Sequence, residues 1–341
     1  MSKCDLRVVL DGKQTRHSAG AMVRGVVLVE VNAECQCNGL TVAPQWRTHG
    51  RGNRTNGGPK PDGVLFAGTW APGSYEYPFE LRLPNGPITY HGHYLNVDWV
   101  IHARADIPWA IDPKGGTEIV LERGNYDGRL APGDLTSVDS VRESRSRSDW
   151  SGCALLFVVP FLLIGLGTIW NGIVTLINGQ MMGLALLAFG VVFAAAALIF
   201  ASITLRAKVA ERRLGPVEVV LDPTLTRPGQ NVRCTVRFTP QADIEVAGVT
   251  ARLTGRERVV SGSGTDRTTY THEIHSATEQ LLGQDHIFAG NAVELSADLA
   301  IPEDAAPTFV ASSNRLEWVV TVHIDLPRWL DWSRTDKVIV S

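Results

Sequence analysis

From Ser151 to Leu205 the chain has no Asp, Glu, Lys, Arg or His. A run of 55 uncharged residues is too long for one membrane-spanning helix, which needs about 20 apolar residues, and suits two. The competing reading, a helical pair buried in a soluble protein, would ordinarily carry some charge on an exposed face. Asn178 and Gly179 within "INGQ", Ile177 to Gln180, favour a tight turn. The spans are therefore predicted at Cys153–Ile177 and Met181–Leu205, inside an apolar stretch of residues 151–205. With no ionisable group at membrane depth, nothing in this hairpin suggests a proton relay or an ion path; it reads as an anchor.

Other features are missing too. The net charge is only −3, which favours neither nucleic acid nor a strongly acidic partner. The five cysteines, Cys4, Cys35, Cys37, Cys153 and Cys234, are odd in number and scattered. That is no disulfide framework; it fits a reducing compartment, with the thiols acting as small apolar groups. "MSKCDLRVVLDGKQ" lacks the apolar run of a signal peptide, so membrane targeting is expected from within the chain. No Gly-x-Ser-x-Gly, Walker or His-Glu-x-x-His pattern occurs, and no activated nucleophile or paired acid and base stands out. The expectation is a protein that is not an enzyme and uses no cofactor.

Basic residues flank the hairpin. Arg142, Arg145 and Arg147 precede the first span; Arg206, Lys208, Arg212 and Arg213 follow the second; the turn between carries no charge. The positive-inside rule then puts both outer flanks, and so both termini, in the cytoplasm. Each basic residue near an anionic leaflet is worth about 1 kcal/mol, so these seven are also candidate lipid-headgroup contacts. Small residues form one stripe on each span: Gly165, Thr168, Gly172 and Thr175, then Gly183, Gly190, Ala194, Ala197 and Ala201. Such faces let backbones approach closely in lipid. The simplest use is packing of the hairpin on itself; a homodimer through the same faces stays open.

What is present on either side is one pattern written twice. "VDWVIHARADIPW", residues 97–109, is echoed by "LEWVVTVHIDLPRW", residues 316–329. Val97, Trp99, Ile101, Ala103 and Ala105 alternate with polar or partly polar positions, as do Leu316, Trp318, Val320, Val322 and Ile324. Period two with one apolar face is a half-buried strand. Each copy ends in Asp-Ile/Leu-Pro followed by a Trp: Asp106, Pro108 and Trp109 in the first, Asp325, Pro327 and Trp329 in the second. Proline cannot donate to a ladder, so the strand should stop there. Trp109 and Trp329 are expected as core plugs. Upstream, "VVLDGKQTR" answers "VVLDPTLTR", "MVRGVVLVEV" answers "NVRCTVRFTP", and "GLTVA" answers "GVTAR"; near the end of each half "TEIVL" answers "DKVIV". Strand signals at this spacing, with Gly and Pro punctuation, predict an all-β sandwich of about seven strands in each copy, and two copies predict tandem domains.

The residues also carry a family resemblance. "APGSYEYPFELRLPNGPITYHG", Ala71 to Gly92, followed by the apolar strand ending at Trp109, resembles the arrestin-like N-terminal domain. Pro72, Gly73, Tyr75, Pro78, Phe79, Leu83, Pro84, Pro87, Tyr90 and Gly92 fall on that family's pattern. "LTRPGQNVRCTV", Leu225 to Val236, and "NRLEWVVTVHIDLP" resemble the C-terminal arrestin domain. The resemblance implies two tandem arrestin-like, immunoglobulin-like sandwiches and an adaptor that holds cytoplasmic tails. Arrestins join their domains by a short linker, whereas residues 125–214 stand there in this chain. There is no Pro-Pro-x-Tyr tail, and no polar core or phosphate sensor can be matched residue by residue.

The expected organisation is a sandwich over residues 1–124, a basic linker 125–150, the hairpin 151–205, a basic linker 206–214 and a second sandwich over 215–341. Two metal-like groupings are weak: Cys35-x-Cys37 has no second pair at ligand spacing, and His91-x-His93, with His49 elsewhere, sits in the family-like turn. No metal is expected. "GRGNRTNGGPKPDG", Gly50 to Gly63, reads as a long mobile loop, and its Arg51, Arg54 and Lys60 are the candidate partner-binding residues. The functional expectation is a membrane-anchored adaptor or scaffold binding a protein partner at the cytoplasmic face, in contact with membrane lipid and without nucleic acid. The alternative is a structural or envelope-stress protein that self-associates through the hairpin.

Overall fold

The computed structural model describes residues 3–124 and 150–341. Arg142, Arg145 and Arg147 lie outside the described residues. In the first half the strands are β1 (Cys4–Leu10), β2 (Arg16–Ser18), β3 (Met22–Val31), β4 (Cys35–Gly50), β5 (Asn56–Gly57), β6 (Phe66–Trp70), β7 (Gly73–Arg82), β8 (Tyr90–His91), β9 (Leu95–Asp106) and β10 (Lys114–Glu122). They make a three-stranded sheet, β1-β3-β7, facing a larger one, β2-β10-β9-β4-β5, to which β6 adds on β4 and β8 on β9. Alternation decides which side faces in. On β9, Val97, Trp99, Ile101, Ala103 and Ala105 are all buried, as are Val23, Val27, Val29 and Val31.

Two helices follow, α1 (Trp150–Ile177) and α2 (Met182–Leu214). They turn at residues 178–181, where Gly179 takes φ +77° and its N–H bonds Leu176 O. The expected small-residue stripes face each other. A Cβ on Gly165 would lie 2.8 Å from Ala194 N; on Gly183, 2.6 Å from Gly172 O; on Gly190, 2.6 Å from Thr168 Oγ1. Both helices are long and apolar enough to cross a membrane. The second runs further than expected. Residues 206–214 are not a linker but the last turns of α2, and Ala210 and Leu214 are buried in the core of the second half. Gly215, at φ +73°, ends the helix, donating its N–H to Glu211 O. A capping glycine in the left-handed region is a common helix terminator.

The second half repeats the first. Its strands are β11 (Val217–Asp222), β12 (Leu225–Thr226), β13 (Asn231–Phe238), β14 (Ile244–Val246), β15 (Gly248–Ser261), β16 (Thr268–Leu282), β17 (Asp285–Ile287), β18 (Val293–Ala300), β19 (Phe309–Val310), β20 (Asn314–Asp325) and β21 (Trp332–Val340). The sheets run β11-β13-β18 and β12-β21-β20-β15-β16, with β19 on β20 and a separate β14-β17 pair. In each half the last strand pairs in parallel with an early one, β10 with β2 and β21 with β12. The duplication extends to single bonds. Trp99 Nε1 donates to Pro87 O at 2.6 Å, and Trp318 Nε1 to Ala306 O at 2.9 Å, each twelve residues upstream.

The turn after each matched strand is also duplicated, with a difference. Asp112 Oδ1 accepts from Ile107 N at 3.2 Å, and Asp331 Oδ1 from Leu326 N at 3.1 Å, closing six-residue turns of the same kind. Trp329 is half-buried, with the Arg213 guanidinium 4.9 Å from its ring centroid. Trp109 is no core plug. It is fully exposed; it stands two residues past Ile107, whereas Trp329 stands three past Leu326, so the two rings occupy different positions of the same closed turn.

Candidate functional site

The two halves meet along a seam centred on Glu257. On β15 the odd-numbered residues Val249, Ala251, Leu253, Glu257 and Val259 all face inward and are buried. Glu257 thus takes a core position, but at the end of the second half, where the core is capped by residues 90–95 of the first half. Its carboxylate is wholly buried. It accepts from Tyr90 OH at 2.7 Å and His93 N at 2.9 Å on Oε1, and from Tyr94 N at 2.6 Å and Leu95 N at 3.3 Å on Oε2. All four donors are neutral. Successive backbone N–H groups make a concave anion nest, and hydrogen bonds to an ionised acceptor are about twice as strong as neutral ones. Burial, then the adjoining carboxylate, push the Tyr90 phenol well above its ordinary range, which keeps its proton available to Glu257. Gly92 is required by space alone: a Cβ there would overlap Glu257 Oε1.

A second set of contacts lies beside this nest. Asn53 N donates to Val260 O at 2.8 Å, its Nδ2 to Gly262 O at 2.9 Å, and its Oδ1 accepts from Gly262 N at 3.1 Å. Asn314 returns the arrangement, its Nδ2 donating to Thr48 Oγ1 at 3.0 Å and to Asn53 O at 2.6 Å. Arg51 lies over the Tyr270 ring at 4.1 Å and the Tyr94 ring at 5.4 Å, while His93 stacks on His272 at 4.3 Å. Trp46 meets Phe309 edge-on at 5.5 Å.

This placement revises the reading of Gly50 to Gly63. Arg51 and Asn53 contact the second half while staying exposed, and Asn56 and Gly57 pair with β4, so the first part of that stretch borders the seam. Arg54 and Lys60 are exposed. Lys60 lines a groove of about 590 Å³ together with residues 42–44, 62–65 and 78–85. The groove runs beside β7, an outer strand of its sheet. Of the basic residues after the hairpin, Arg206 and Arg212 are exposed and Lys208 half-exposed. Arg213 turns instead to Trp329 and to Asp243 O. His49 and His91 converge on Asp98, at 2.6 and 2.9 Å, away from His93. Cys4, Cys35 and Cys37 are buried. Burial, reinforced by the neighbouring Cys35 thiol, pushes Cys4 up to about 12; burial also raises Cys37. Among the described residues no three His, Cys, Asp or Glu side chains are grouped to hold a metal ion.

The sequence reading missed Glu257, Asn53 and Asn314. Glu257 carried one signal: by the period of β15 a charge falls on an inward position, which a sandwich tolerates only with partners. Asp112 and Asp331 were also within reach, as a matched acid five residues beyond each matched apolar residue.

No protein-family model and no curated protein matches the chain. Among solved structures it is similar to Spo0M, a sporulation control protein from Bacillus subtilis, at 20% identity, covering 38% of this chain and 49% of that one with a TM-score of 0.31. The chain thus spans about half the length of that relative, and the fold is read from its own sheets.

Proposed function

We propose that the chain is a membrane-anchored adaptor or scaffold. In this reading residues 151–205 form a transmembrane hairpin. Two arrestin-like sandwiches, residues 1–124 and 215–341, lie on the cytoplasmic face and offer a surface to a protein partner. One observation carries it: α2 is free of charge from Met182 to Leu205, continues without a break, and ends buried in the second half through Ala210 and Leu214. A lipid-facing helix that is also part of a folded core fixes that core to the membrane. The basic residues after Leu205, with none in the turn, support a cytoplasmic placement. Arg206, Lys208 and Arg212 are the proposed headgroup contacts, with Arg142, Arg145 and Arg147 on the other flank.

For the partner we assign the groove beside β7. An outer strand has unpaired backbone groups, and an extended peptide can add to it while its side chains enter an adjoining cavity. Lys60 and Val64 stand exposed at the groove. A photo-crosslinker at Val64 in the full chain, in its native membranes, is expected to capture a heterologous protein. With the crosslinker kept at Val64, Lys60→Glu should weaken that adduct while the chain stays inserted. Adducts only between copies of this chain would overturn the adaptor reading in favour of a self-associating structural protein.

A further inference from the structure

The turn Ile107–Asp112 presents two large apolar side chains that the fold does not use. Trp109 and Ile111 are 105% and 95% exposed. The turn itself is tied down. Asp112 accepts from Ile107 N and from Arg104 Nε at 2.9 Å, Ala110 N bonds Ile107 O, and Ala105 N bonds Pro113 O. Trp109 holds φ +59°, alone in that region among the described non-glycine residues. A bulky residue there costs on the order of 1–3 kcal/mol, and such strain collects at functional positions. In this conformation the indole projects away from the fold.

The twin turn, Leu326–Asp331, indicates the setting. Its Trp329 packs against Arg213, eight residues beyond the last apolar stretch of α2, so this turn faces the side from which the hairpin enters. Both turns lie at the ends of matched strands whose other ends meet at the seam: Leu95 begins β9 beside Glu257, and Asn314 begins β20 beside Asn53. Each strand has twelve residues, about 40 Å at 3.3 Å per residue. The turns are therefore the two far poles of one elongated body, and α2 holds only one of them.

We propose that the Trp109–Ile111 tip dips into the lipid bilayer and holds the second pole, so that the body lies along the membrane. Indole suits the bilayer interface, where an apolar ring and a polar N–H are both satisfied. The charges around the tip cancel, Arg104 and Lys114 against Asp106 and Asp112. The contact is therefore apolar and indifferent to salt. The inference rests on the membrane reading above.

The test uses the full chain in nanodiscs, with Cys153→Ser and Ile111→Cys carrying an environment-sensitive dye; the remaining cysteines are buried. Lipids brominated along the acyl chain should quench the dye at least twofold, equally at low and at 1 M salt. Trp109→Ser should lessen the quenching. A label at Met22, exposed near the seam end of the first half, should be unaffected. A chain that inserts into the discs yet shows no quenching at residue 111 overturns the proposal while leaving the anchor intact. A chain that does not insert removes the membrane reading and this inference together.

Discussion

Glu257 is held by four neutral donors from the other half, and its removal leaves backbone N–H groups with no acceptor inside the seam. Hydrogen bonds to charged groups contribute about 1.5–3 kcal/mol each. Tyr90→Phe, which deletes one donor, should destabilise the chain by about that amount, and Glu257→Ala by more. The two losses should fall short of additive, because they remove one shared interaction. Chemical unfolding of the four members of that cycle measures the coupling; full additivity would mean that the phenol and the carboxylate do not meet. A second residue-scale expectation concerns pH. Burial pushes the Cys234 thiol up to about 11, against an ordinary value of 9.0. Above pH 9 the unfolded chain ionises this thiol while the folded chain retains its proton. The unfolded state then binds fewer protons, so stability falls as pH rises. The contribution is complete below about pH 9 and is lost between there and about 11. Cys234→Ala should flatten this slope in melts from pH 8 to 11.

Among the elements, the helix pair gives the sharpest contrast. A side chain at Gly190 meets Thr168 Oγ1 and Gly165 O, whereas one at Gly167 meets nothing within 4 Å. Gly190→Leu should separate the helices and lower the temperature at which detergent-solubilised chain aggregates; Gly167→Leu should leave it unchanged. Equal effects would mean that the small-residue faces are not the contact. These faces were legible in the sequence because spacings of three, four and seven project onto one side of a helix. The matched strands were legible for the same kind of reason, since Trp99 and Trp318 sit in register within an apolar period of two. The far end of α2 was not. Its basic residues read as a linker because charge ends a membrane span, and nothing local signals that Ala210 and Leu214 find a core contributed by distant strands. Trp109 misled for the complementary reason: an aromatic after a strand is usually buried, and the two matched Trp differ by one position within the same six-residue turn.

For the molecule as a whole, sequence repetition revealed two similar halves but not how they join. The seam is built from residues that break the repeat, Asn53 and Glu257 among them, and a pattern found by self-similarity is blind to its exceptions. Tyr90 and Gly92 were noticed through their family-like spacing, yet their task appears only with Glu257 in place. Glu257→Lys puts a cation into the nest, where no acceptor awaits it, and should part the halves. Small-angle scattering from the solubilised chain should then report a larger radius of gyration, with each half still melting cooperatively.

The parallel pairs that close each half have a consequence during synthesis. A chain leaving the ribosome holds both β2 and β10 once Glu122 has emerged, before any of the apolar run has followed, so the first half can finish folding while the hairpin is still to come. The second half cannot. β12 must wait through residues 227–331 for β21, and the edge of β20 that β21 covers stays open from Asp325 until β21 follows. Arrested nascent chains should therefore become protease-resistant over residues 4–122 early, and over 217–340 only on release of Val340. The second half is the one that needs protection while it is made.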